Sequence, residues 1–162
     1  MSISNTFFRF ALAFSFFSFS LALLAEPTLE EVVVSARKVD ESVQDVPIAM
    51  SVFTSSDISD AGIERPEDFI ALTPNVVMAN TVNVGDTLVT IRGLTSTRDA
   101  ESNFAFVVDG VLQTNPNAFN RELLDIAQIE VLKGPQGALY GRNATSGAIL
   151  ITTKAPSEES ES

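Results

Sequence analysis

The 162-residue chain contains no cysteine and no histidine. Without cysteine it has no disulfide framework and no thiol to carry a lipid at a cleavage site. Without either residue, thiolate and imidazole metal sites are excluded, and the common general bases and nucleophiles are missing. Positive charge is also scarce: 10 Lys and Arg stand against 21 Asp and Glu, a net charge of −11. That balance argues against nucleic acid or an anionic membrane surface as partner, because both are met by a basic footprint. Aromatic residues are few outside the start of the chain. Seven of the 12 Phe lie in residues 1–25, which leaves five Phe and a single Tyr for all that follows.

Phe10 to Ala25 is an apolar run preceded by Arg9 and bounded by Glu26 and Pro27. It is shorter than the ~20 residues that span a bilayer as a helix and has an acidic flank, so residues 1–25 read as a cleaved secretory signal. Cleavage is expected after Ala25, with Ser20-Leu21-Ala22 as a competing small-x-small site. Removing Arg9 with the signal takes the balance to 9 basic against 21 acidic residues, or −12.

Beyond the signal, LEEVVVSARK (Leu29 to Lys38) is a β-branched strand-former with no pairing partner nearby in sequence, and Val39 to Val46 reads as a polar linker. Ile48, Met50 and Val52 alternate as a half-buried strand does. Ser55 or Ser56 opens a short helix through Ala61 that stops at Gly62, and Pro66 opens a second, ended by Thr73-Pro74-Asn75. VVMA, LVTIRG and FAFVVDGVLQ read as strands, with Asp109-Gly110 as a two-residue hairpin turn. Between them lie polar stretches at 80–87, 95–103 and 113–121, read as mobile loops. ELLDIAQIEVLKG reads as a turn of helix leading into a strand with Ile129 and Val131 on one face, GAILITTK as the last strand, and SEESES as a disordered acidic tail. Short strands mixed with short helices, without a βαβ rhythm, indicate an α+β fold.

Half of the eight glycines, Gly134, Gly137, Gly141 and Gly147, fall between two apolar runs. Their spacing matches neither phosphate-binding fingerprint, so the segment reads as strand, tight loop, strand and not as a nucleotide cradle. No catalytic constellation accompanies it, and neither an enzyme activity nor a cofactor or metal is expected.

The run LKGPQGALYGRNATSGAILITTKAP closely resembles the C-terminal half of the plug domain of TonB-dependent outer-membrane receptors. VPIAMSVF, LTPNV, IRGL and VDGV match the other plug signatures in the family's order, so the resemblance covers about residues 30–156. It implies a small mixed β-sheet with short helices and loops, seated inside an outer-membrane barrel. The expected organisation is signal peptide 1–25, TonB box and flexible linker 26–45, plug 46–156 and acidic tail 157–162.

The resemblance assigns roles to particular residues. Glu31, Val32, Val33, Val34, Ser35 and Ala36 look like a TonB box, a strand offered to the edge of the TonB energy-coupling protein. The other reading of this segment is a first strand of the domain's own sheet. Arg92, Glu130, Lys133 and Arg142 match charged positions that latch plug to barrel, against the alternative of solvated charge. Arg98, Asn117 and Phe119 fall in the loops that in the family face the ligand, a ferric siderophore or similar solute. A barrel needs about 8 or more strands of ~9 to 11 residues, which the stretch after Lys154 does not supply. The expectation is therefore a truncated receptor at the outer membrane, the alternative being a free-standing periplasmic module that binds TonB without transport.

Overall fold

A computed structural model describes residues 31–36, 38–80, 87–96 and 101–156, with the side chains of Asn80, Pro116 and Asn117 left out of the description. The expected signal peptide, the acidic tail and Arg98 lie outside the described residues. The chain runs β1 (Val33–Val34), β2 (Glu41–Ser42), β3 (Met50–Phe53), α1 (Ser55–Ala61), α2 (Pro66–Ala71) and β4 (Val76–Asn80). It continues with β5 (Thr87–Ile91), β6 (Leu94–Thr95), β7 (Phe104–Val108) and β8 (Val111–Leu112), then a 3₁₀ helix over Pro116–Asn120. β9 (Ile126–Lys133), α3 (Gly137–Tyr140) and β10 (Gly147–Thr153) close it.

The central sheet has the order β3-β9-β10-β7-β8, in which β10 runs parallel to β7 and every other pair is antiparallel. A three-stranded sheet β4-β5-β6 and the small β1-β2 pair complete the α+β architecture, and none of the sheets closes on itself. The strands follow the period-2 rule. Ile129, Val131, Ile149, Ile151, Phe104 and Phe106 share one buried cluster with Phe69, Val89 and Ile91 from the helical layer and the second sheet. Leu132, Ala148, Ala105 and Val107, their alternating neighbours, form a second cluster with Val34, Ala36 and Val46. The central sheet is thus covered on both faces, and the cover on the second face is the N-terminal segment.

Local signals explain the ends of the elements. Thr54 and Asp57 cap α1 reciprocally, with Asp57 N donating to Thr54 Oγ1 and Thr54 N to Asp57 Oδ2, and Gly62 ends it at φ +63°. Asp109 and Gly110 both hold positive φ, +47° and +79°, as the two-residue turn requires. The Asp109 carboxylate also receives Thr153 N and Thr153 Oγ1, both at 2.9 Å, which ties the hairpin to the end of β10. Gly147 answers a close approach: a Cβ there would run into the Leu132 carbonyl oxygen on the neighbouring strand.

Two expectations are corrected. Residues 122–125 carry no helix; the helical turn comes one segment earlier, as the 3₁₀ helix within the stretch read as a mobile loop. Phe119 anchors it, making tilted or edge-on contacts with Phe104, Phe106 and Phe69 at centroid distances of 5.2, 5.1 and 6.3 Å. Among the described residues of the N-terminal strand-former, only Val33 and Val34 form a strand, and it does have a nearby partner, β2, inside the stretch read as a polar linker: Val33 opposes Ser42 and Val34 opposes Glu41. Lys38, at φ +62°, lies in the loop between them.

Candidate functional site

β9 carries the feature on which the site is built. Its residues Gln128, Glu130 and Leu132 alternate onto the face covered by the N-terminal segment. Glu130 sits mid-strand, opposite Leu150 on β10 and Val52 on β3, with 2% of its surface exposed. A carboxylate in such a place must find donors. Oε1 finds two: the backbone N–H of Ser35 at 3.0 Å and Gln128 Nε2 at 3.2 Å. Gln128 Nε2 also donates to the carbonyl of Val33 at 3.0 Å, and the Tyr140 hydroxyl donates to the carbonyl of Ala36 at 2.8 Å. Three side chains of the domain therefore hold the backbone of three residues of the segment, while Val34 and Ala36 bury their side chains completely beneath it.

The electrostatics follow from the burial. Desolvation pushes the Glu130 carboxyl above its ordinary range, the Ser35 and Gln128 donors on Oε1 oppose that, and the nearby Asp40 charge adds to it. The Tyr140 phenol is pushed up to about 12, first by burial and then by the Glu130 charge, so it remains a neutral donor. Among the described residues Glu130 Oε2 has no hydrogen-bond partner.

The chain is similar to known proteins over most of its length. The family model for the TonB-dependent Receptor Plug Domain matches residues 42–148. The chain belongs to the TonB-dependent receptor plug family. The pesticin receptor of Yersinia enterocolitica (serotype O:8) is 31% identical over 132 residues, covering 81% of this chain and 19% of the receptor. The vitamin B12 transporter BtuB of Vibrio vulnificus is 32% identical over 139 residues, 82% of this chain and 22% of the transporter. Among solved structures, the ferric yersiniabactin uptake receptor FyuA from Yersinia pestis matches at a TM-score of 0.63 and 30% identity, over 69% of this chain and 18% of that one. The plug thus spans about a fifth of the length of these relatives.

The residues named from sequence are distributed unevenly over the plug. Val33, Val34, Ser35 and Ala36 are brought together with Gln128, Glu130 and Tyr140, whereas Glu31 is exposed and Val32 half-buried at the start of the segment. The segment is docked on the sheet and is not a free tether. Glu130, expected to face the barrel wall or the other latch charges, faces this segment inside the plug, because period-2 alternation turns it onto the covered face.

The other three latch residues do not meet each other. Arg92 is exposed at φ +51° in a two-residue turn with Gly93, and its Nη1 would lie 3.0 Å from a Cβ at Gly134. Lys133 Nζ donates to Ser51 Oγ at 3.1 Å, and Arg142 Nη1 pairs with Glu101 Oε1 at 3.5 Å on the surface. Phe119, 4% exposed, belongs to the core and is not presented to a ligand, while Asn117 lies in the 3₁₀ helix with its side chain outside the description. Sequence reasoning missed Gln128 and Tyr140. The polar pair Gln128 and Glu130, spaced by two in an otherwise apolar strand, was the available signal for one of them.

Proposed function

We propose that this plug gates a TonB-dependent outer-membrane receptor for a ferric siderophore or similar solute, and that Glu31 to Ala36 is the segment through which TonB acts on it. Family membership supports the gating role, and three relatives carry names that point to cargo: ferric yersiniabactin uptake, vitamin B12 transport and catecholate siderophore reception. The observation that carries the reading is the docked state of the segment: Ser35 N–H on Glu130, Val33 C=O on Gln128 and Ala36 C=O on Tyr140.

Strand addition to a partner uses the same backbone groups that this clasp occupies. Docking and capture are then mutually exclusive, and an event that loosens the clasp delivers the segment to TonB. No bond is made or broken; the work is that of a latch under load. Arg92, Lys133 and Arg142 remain the candidates for contacts to a surrounding barrel, since their side chains reach the surface.

The test is binding of the 162-residue chain to the periplasmic domain of TonB, by calorimetry. Val34→Pro removes an N–H from the middle of the segment and is expected to abolish binding. Retained affinity in a Val34→Pro chain whose circular dichroism matches the parent would sink the assignment of residues 31–36.

A further inference from the structure

Between the docked segment and the sheet lies a cavity of about 600 Å³ whose walls include Glu130, Asp40, Tyr140, Lys38, Val107 and Leu150. We propose that this cavity is a binding site for a guanidinium or primary ammonium group carried on an aliphatic stem.

Four observations carry the proposal. Glu130 is 2% exposed, lines the cavity and, among the described residues, leaves Oε2 without a partner, although Oε1 takes two donors. A buried carboxylate oxygen without a donor is costly, and a charge-assisted hydrogen bond is the strongest remedy. Asp40 supplies a second carboxylate on the segment's wall; its Oδ1 accepts from Ser35 Oγ at 2.7 Å. The Tyr140 ring already attracts a cation, Lys38 Nζ, at 5.7 Å from its centroid. Val107 and Leu150 give the apolar floor that the stem of such a cation covers. Among the described residues no cation pairs with Glu130, and Lys38 alone brings positive charge to the wall against two carboxylates.

The two walls belong to different parts of the plug: Ser35, Lys38 and Asp40 to the N-terminal segment, Glu130 and Leu150 to the sheet. An occupant bridging Glu130 and Asp40 therefore holds the segment down. The site is a brake on its release, set by a cation.

The probe is butylguanidinium at millimolar concentration, titrated into the 162-residue chain by calorimetry, with butylurea as the uncharged control. Saturable binding of butylguanidinium alone is expected, together with slower hydrogen exchange at the Ser35 amide. Glu130→Gln keeps the acceptor for Ser35 N–H but loses the charge, and should weaken binding by at least about tenfold. Asp40→Asn, at an exposed position that does not endanger folding, should weaken it to a smaller degree. No saturable heat, equal binding of butylurea, or wild-type affinity in both variants would overturn the site. An arginine-containing tripeptide distinguishes the sources: tighter binding than butylguanidinium points to a protein side chain, weaker binding to a small solute, and either order upholds the site.

Discussion

Glu130 is the residue at which the fold works against ionisation. Its carboxyl is raised because burial penalises the charge more than the Ser35 and Gln128 donors favour it. An acid whose folded value lies above its unfolded one keeps its proton longer in the folded state. Its contribution is therefore largest at low pH and declines as pH rises from the ordinary value of 4.5 through the raised one. Glu130→Gln removes this slope while keeping the Oε1 acceptor. The stability of the variant relative to the parent should accordingly improve between pH 4.5 and pH 8, read from urea midpoints; a constant difference would show that Glu130 is not desolvated in solution.

At the scale of elements, the placement of helices and strands follows rules that are local in the chain where they succeed. The Thr54 and Asp57 cap, the Gly62 stop, the Asp109-Gly110 turn and the apolar alternation of β9 and β10 all rest on neighbours within a few residues. The 3₁₀ helix does not. Its polar sequence QTNPNAFN reads as loop, and it is fixed by Phe119 reaching Phe69, Phe104 and Phe106 across the fold. Phe119→Ala should accordingly cost about 3 to 5 kcal/mol in chemical denaturation, the usual cost of emptying a buried aromatic site. A loss below about 1 kcal/mol would return Phe119 to the surface role first expected of it.

The same division governs the site. That Glu130 lies in a strand was legible, and so was the strand character of Val33 and Val34. What could not be read was the pairing of Val33 and Val34 with Ser42 and Glu41, or the reach of Gln128, Glu130 and Tyr140 to a segment about a hundred residues upstream. Such contacts depend on which face of the sheet the N-terminus covers, and alternation alone does not say what covers a face.

For the whole molecule, the central sheet is a frame with two different covers. One face carries the helices and the second sheet over a continuous apolar cluster; the other carries a short segment held by a few hydrogen bonds over a smaller cluster. The second cover is the part that lifts off at the lower cost, since it shares the smaller of the two buried apolar clusters. On the proposed function, that asymmetry lets the clasp compete with TonB for residues 31–36. The most direct measurement is the affinity of the 162-residue chain for the periplasmic domain of TonB before and after Tyr140→Phe, which deletes the hydroxyl bonded to Ala36 C=O. Losing one hydrogen bond of about 1 kcal/mol from the docked state should tighten TonB binding by about fivefold. An affinity that is unchanged or weaker in Tyr140→Phe, although the Ser35 amide exchanges faster than in the parent, would contradict the competition.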